Sequence, residues 1–239
     1  MNRNICKKTI LKTASISILA VLFYTVCDDN GVKVVTPEVT TFEDIRDGKI
    51  YKKVQIGSQI WMAENLRYAA DGSKCYDNGS GLMAIRQPDG TVKGYSVEEY
   101  CEYIGRLYDW YTAMDDEDGS NSVPSGIEGV CPVGWHIPSD AEWTELIDYV
   151  GVNAGTKLKS RTFAGENPSG TVGGRTPDGT DKYRFAALKG PWASDWWSAT
   201  ERESNEGQAW VRSLSSARTD VYRGSTEKHQ FRSVRCVHD

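Results

Sequence analysis

Moving a proton or attacking a carbonyl takes a basic side chain set beside an acid or a nucleophile, and this chain offers few such arrangements. Its three histidines are His136, His229 and His238. His136 lies in the run Trp135-His136-Ile137-Pro138, where a buried, hydrogen-bonded ring is expected rather than a general base. Asp140 and Glu142 are close carboxylates, but they follow Ser139 in the spacing of a helix start, where such groups accept free backbone N–H and complement the helix dipole. No phosphate-cradling glycine loop, Gly-x-Ser-x-Gly elbow or two-histidine metal helix occurs. The acidic run Asp115-Asp116-Glu117-Asp118 lacks the alternating ligands of a calcium loop, and Gln87-Pro88-Asp89-Gly90 reads as a plain turn. The sequence therefore assigns no catalytic residue, no metal ligand and no cofactor, and an enzyme is not expected.

Sulfur chemistry is better signalled. Of six cysteines, Cys6 and Cys27 fall in an N-terminal targeting segment, which leaves Cys75, Cys101, Cys131 and Cys236. Four thiols in an oxidising compartment can pair in three ways. Cys75 with Cys101 and Cys131 with Cys236 is the preferred set. The first bond would close a Gly-, Asp- and Asn-rich insertion that burial alone cannot hold. The second would tie the central segment to the last strand across about 105 residues, which chain-entropy reasoning values at roughly 4 to 5 kcal/mol. Zinc is the rival reading, but zinc ligands usually come in close cysteine pairs and none occurs.

Aromatic residues supply the remaining chemistry. Eight Trp and twelve Tyr stand against five Phe, so amphipathic rings either brace irregular backbone or line a surface. Tyr108, Trp110, Trp192, Trp196, Trp197 and Trp210 are the candidate ligand-binding rings, able to stack on sugar faces or anchor a protein; the alternative for each is a place in the core.

These residues need a scaffold outside the cytoplasm. Arg3, Lys7, Lys8 and Lys12 precede the apolar run Thr13 to Val26, about fourteen residues and too short to span a bilayer. Residues 1–27 read as a lipoprotein-type signal peptide with Cys27 as the lipidation site; an ordinary signal peptide or an uncleaved anchor is the alternative. Residues 28–43 read as a tether and 44–239 as one domain. The net charge of −5, from 28 basic and 33 acidic residues with no basic cluster beyond the signal, argues against a nucleic-acid partner.

Within the domain, Asp47-Gly48 and Gly57-Ser58 are turns flanking a strand over Ile50 to Ile56, and Gln59 to Met62 returns antiparallel. Ser96 with Glu99 opens an approximately helical pattern running to Met114, its apolar face broken by Gly105. Ser139 with Glu142 caps a helix whose apolar face is Trp143, Leu146, Ile147 and Val150, ended by Gly151. Short strands follow around Phe185–Leu188, Trp196–Thr200, Ala209–Leu214 and Ser233–Val237. The stretch from Lys157 to Thr180, with Gly173-Gly174 and Pro177-Asp178-Gly179, reads as loop.

The strings IGSQIWMAENLRY, YCEYIGRLYDWYTAM, GVCPVGWHIPSDAEW, WWSATE and SVRCV, in this order, resemble the Fibrobacter succinogenes major paralogous domain family. That resemblance implies an exported, often lipid-anchored bacterial protein and covers most of Asp44 to Asp239. A more distant likeness of Trp135 to Trp143, Trp196-Trp197-Ser198 and Val234-Arg235-Cys236 is to the C-type lectin and sulfatase-modifying-factor fold. It implies an α+β architecture, a twisted antiparallel sheet of short strands with two helices and long loops. The close cysteine pair of the formylglycine-generating members and the Asn-Asp motif of the calcium-dependent lectins are both missing, so neither activity is carried over.

The expectation is an envelope recognition or adhesion module, lipid-anchored at the outer membrane or cell surface, or otherwise secreted or periplasmic. Glycan or cell-wall polymer is the leading ligand class. A protein partner or structural envelope role comes next, and a sulfatase-modifying-factor-like enzyme last.

Overall fold

The computed structural model describes residues 24–27, 33–81, 83–86, 91–161, 179–188 and 194–239. Gln87-Pro88-Asp89-Gly90, Gly173-Gly174, Pro177-Asp178, Trp192 and most of the apolar N-terminal run lie outside the described residues. The architecture is α+β, with mostly antiparallel sheets and few helices. Among the described residues no helix is long and apolar enough to cross a membrane.

The described residues begin with β1 (Tyr24–Cys27) paired to β2 (Lys33–Thr36), then β3 (Val39–Asp44), β4 (Lys49–Ile56) and β5 (Gln59–Met62) as an antiparallel meander. A hairpin of β6 (Met83–Arg86) and β7 (Val92–Tyr95) leads into α1 (Val97–Ile104), β8 (Leu107–Tyr108) and α2 (Trp110–Met114). Next come β9 (Trp135–His136), α3 (Asp140–Val150) and α4 (Ala154–Leu158). The chain closes with β10 (Asp195–Glu201), β11 (Gln208–Ser213), β12 (Tyr222–Glu227), β13 (Arg232–Ser233) and β14 (Val237–His238). One five-stranded sheet runs β3-β4-β5-β14-β9, the other β12-β11-β10-β13-β8, with β13 parallel to β10.

The inner strands feed two cores, because alternate residues of one strand point to opposite faces. In β4, Tyr51 joins one core while Val54 and Ile56 join the other. In β10, Trp197 packs with Tyr108, Met62 and Cys236, whereas the adjacent Trp196 packs with Trp61, Trp143 and Phe185. Each fully buried indole removes about 200 Å² from water, on the order of 5 kcal/mol before the entropy of ordering is subtracted. Helix α3 covers the second core with Trp143, Leu146 and Val150. Its start is the anticipated capping box: Glu142 N–H donates to Ser139 Oγ at 3.1 Å and Ser139 N–H to Glu142 Oε2 at 2.9 Å.

Five readings are corrected. The pattern from Ser96 to Met114 is two short helices separated by β8, not one. The break is at Gly105, whose φ of 99° is left-handed and where an added Cβ would lie 2.5 Å from Asn65 Cβ. Among the described residues the expected single sheet is two five-stranded sheets and two two-stranded pairs, and the expected two helices are four, with α2 and α4 only five residues each. Phe185–Leu188 is not a strand; Ala187 alone makes a bridge, to Lys159. Strand β3 begins inside the segment 28–43 read as tether, pairing Val39 with Val54 through Asp44 with Lys49.

Among the described residues the disulfides are Cys75–Cys101 and Cys131–Cys236, the preferred pairing. Cys75–Cys101 fastens the insertion to α1 beside a small third cluster of Met83, Tyr95, Tyr100 and Ile104. Cys131–Cys236 is buried in the first core. Because the bonds span 105 and 26 residues, replacing Cys131 and Cys236 by Ala should lower unfolding free energy by roughly 5 kcal/mol, and replacing Cys75 and Cys101 by roughly 3.5 kcal/mol. Urea titrations of the two double variants check this order; a larger loss for the shorter loop contradicts it.

Candidate binding cleft

Where the chain leaves β5 it stays hydrogen-bonded to the segment between β13 and β14. Met62 N–H donates to Cys236 O at 3.0 Å and Leu66 N–H to Val234 O at 2.9 Å. This register sets Asn65 against Arg235. The Asn65 side-chain oxygen accepts from Arg235 Nε at 3.1 Å, Arg235 Nη2 at 2.7 Å and Trp196 Nε1 at 2.8 Å. Its amide nitrogen donates to Ile104 O at 2.8 Å.

Arg235 is 1 % exposed. Its Nη1 donates to Phe185 O at 2.5 Å, and the guanidinium carbon stands 4.2 Å from the Phe185 ring centre and 5.2 Å from that of Trp196. Among the described residues no carboxylate forms an ion pair with it; Glu64 and Asp181 act on it only from farther away. Burial pushes the Arg235 guanidinium down to about 9, against the pull of those two carboxylates, so it remains a cation at neutral pH.

The wall above Arg235 is the loop from Asp181 to Leu188. Asp181, Arg184 and Ala186 hold φ values of 46°, 57° and 52°, a left-handed conformation that non-glycine residues rarely adopt. Contacts around the loop fix it. Ala186 N–H donates to Asp181 Oδ1 at 2.8 Å, Ala187 N–H to Leu158 O at 3.1 Å, and Ser160 N–H to Ala187 O at 2.9 Å. Phe185 is the anchor, fully buried and 5.9 Å from Trp61 and Trp196. Burial raises the Asp181 carboxyl above its ordinary value, although Ala186 N–H and the Arg184 charge oppose this.

Between this loop and the sheet edge lies an open cleft of about 500 Å³, floored by Asn65 and Arg235. Lys52, Glu64, Arg67 and Glu102 form the opposite wall. Glu64 accepts from Lys52 N–H at 3.0 Å and from Lys52 Nζ at 3.1 Å, and Lys49 Nζ reaches Glu102 at 2.5 Å. The arrangement can bind and orient a polar ligand.

The aromatic candidates sit elsewhere. Tyr108, Trp110, Trp196 and Trp197 are at most 3 % exposed and belong to the cores, a correction to their reading as surface rings. Each polar tip has an internal acceptor: Tyr108 Oη donates to Tyr68 O, Trp110 Nε1 to Ser198 O, and Trp197 Nε1 to Tyr108 O. Trp210 is half-buried on the outer part of β11, under Arg223, whose guanidinium carbon is 3.4 Å from the ring centre. Arg223 in turn donates to Asp140 Oδ2 at 2.8 Å. Sequence reasoning missed Asn65, Arg235 and Asp181 as site residues; the one signal for the first two was their place inside two of the recurring strings.

His136 is buried on the face of β9 that meets α3. Its Nε2 lies 2.7 Å from Glu142 Oε1 and its Nδ1 lies 2.6 Å from Asp239 Oδ1. Desolvation lowers the imidazole pKa, but hydrogen bonds and charge from Glu142 and Asp239 outweigh it, so the group stands above its ordinary value.

The sequence model described as the Fibrobacter succinogenes major domain matches residues 54–238. No curated protein and no solved structure matches the chain.

Three measurements test this geometry. Asn65→Ala strips the acceptor from three buried N–H groups and should cost at least about 3 kcal/mol in urea unfolding. Arg235→Met removes an unpaired buried cation while leaving Trp196 bonded to Asn65, and should change stability by less than about 1.5 kcal/mol. Since His136 binds its proton more tightly when folded, the stability it contributes is present in full below about pH 6.5 and fades as pH rises through the native value. The stability gap between the native protein and His136→Asn should therefore be wider at about pH 6 than at about pH 9; a gap that widens with pH refutes the assignment.

Proposed function

The chain belongs to the Fibrobacter succinogenes major domain family, and from that premise we propose that it is an exported recognition module of the cell envelope that binds a glycan or cell-wall polymer in the Arg235 cleft. The observation carrying the proposal is the cleft itself: an open hollow ringed by Lys52, Glu64, Arg67, Glu102, Asp181 and Arg184, whose floor is immobilised by Asn65 and whose wall is a loop held in left-handed backbone. Rigid placement of donors and acceptors is what selective binding of hydroxyl-rich ligands requires, because flexible groups lose entropy on binding.

Two disulfides support a life in an oxidising compartment. The apolar run ending at Cys27 supports anchoring through a lipid on that thiol. A C-type-lectin-like arrangement is the finer fold reading, supported by two sheets of short strands, few helices and long connections. Recognition by stacking on Trp196 and Trp197 is set aside, since neither ring reaches solvent.

Retention of the purified protein on insoluble polysaccharides tests the function. Binding to at least one polymer is expected, weakened about threefold or more by Arg184→Asn, which removes a cleft-wall charge and suits the left-handed backbone. Trp210→Ala should leave retention unchanged. No retention on any polymer overturns the glycan reading, and loss of retention in Trp210→Ala moves the site to β11. For the anchor, mass spectrometry of the membrane fraction is expected to find Cys27 as an acylated N-terminus; an unmodified Cys27 with its preceding residues attached refutes it.

A further inference from the structure

A lipid on Cys27 would hold the domain near a bilayer without orienting it. We propose that a basic pocket between α4 and the loop from Asp181 to Leu188, with the apolar end of α3 beside it, docks on the phosphate headgroups of an anionic bilayer, an inference that rests on the anchor reading above. Four cations meet there. Lys157 lies on α4, Arg161 just beyond it, and Lys182 and Arg184 on the loop. Backbone bonds pin the loop to the helix: Thr180 N–H donates to Thr156 O at 2.9 Å and Lys182 N–H to Lys157 O at 3.0 Å. The four line an open pocket of about 450 Å³ together with Thr36 and Asn153.

The local charge runs against that of the whole chain, which is −5. Asp181 is the one carboxylate among the described lining residues, and it accepts from Ala186 N–H. Arg161, Lys182 and Arg184 are exposed, and among the described residues none of them is in an ion pair, whereas the exposed guanidinium groups of Arg218 and Arg223 are each held by an aspartate. Like charges gathered without partners repel one another and gain from an external anion. Because these side chains reach solvent, that anion needs no path into the fold.

Two observations favour a bilayer over a dissolved anionic polymer. Thr36 stands nine residues after Cys27, so an acylated Cys27 lies within roughly 32 Å of the pocket even with the chain fully extended. Beside the cations sits an apolar tip: Val152, next to the lining residue Asn153, is 82 % exposed and Tyr149 is 58 % exposed. Tyr183, between Lys182 and Arg184, packs against Tyr149 with ring centres 6.0 Å apart. An aliphatic tip and tyrosines next to cations suit a headgroup layer, where the apolar part enters and the charges stay with the phosphates.

Flotation of the full chain with phosphatidylglycerol vesicles at about 50 mM salt, where screening is weak, tests the inference. The double variant Arg161→Gln, Lys182→Gln should lower the ratio of bound to free protein about tenfold or more. The double variant Lys74→Gln, Lys93→Gln removes as much charge outside the pocket and should lower it less than about threefold. The N-terminal apolar run and its basic residues are common to all variants and cancel in this comparison. Val152→Ser should weaken binding about threefold. Equal losses in the two double variants overturn the docking assignment. Loss in Arg161→Gln, Lys182→Gln with no effect of Val152→Ser overturns the bilayer as the partner in favour of an anionic polymer. Neither Arg161 nor Lys182 lines the Arg235 cleft, so failure here leaves retention on polysaccharide, and with it the recognition reading, intact. Failure of the anchor reading shows separately, as an unmodified Cys27.

Discussion

One amide oxygen joins the two halves of this protein. Asn65 Oδ1 receives Trp196 from one sheet and Arg235 from the link between β13 and β14, which belong to different sheets. Residues 232 to 238 are therefore a shared seam, and Cys236 within that seam is bonded to Cys131. If Asn65 were misplaced, the Trp196 indole and the Arg235 guanidinium would both be left with buried donors, and the two cores would lose their registration.

What could be read in the sequence was what local chemistry determines. Ser96 with Glu99 and Ser139 with Glu142 are capping boxes by spacing alone, and both form. The turns at Gly48 and Gly57 need positive φ and have it. The cysteine pairing followed from which segment each bond would have to restrain. By contrast β12, Tyr222-Arg223-Gly224-Ser225-Thr226-Glu227, shows no apolar alternation, because it lies at a sheet edge and is set by its ladder with β11. The apolar face from Tyr100 to Tyr111 looked like one helix because both halves are apolar; the break depends on the approach of Asn65 to Gly105, a contact between distant residues.

The site was less legible, for a related reason. An aromatic surplus is visible in composition, but which rings face outward depends on how many faces of each sheet are covered. With cores on both sides of β10, consecutive tryptophans are both interior. Arg235 is the opposite case. A lone arginine between Val234 and Cys236 gives no hint that its charge is buried on the side chain of Asn65, since the deciding fact is which distant residues the fold brings around it.

The adjacent indoles of Trp196 and Trp197 also limit how such a domain can vary. Neighbouring residues on one strand serve separate interiors, so a backbone shift that accommodates a new side chain in either core displaces a large ring in the other. Adaptation of the interior is thereby coupled and slow. Diversification is channelled to connecting segments such as Asp181 to Leu188, where a changed residue alters what the surface meets without disturbing the indole pair beneath.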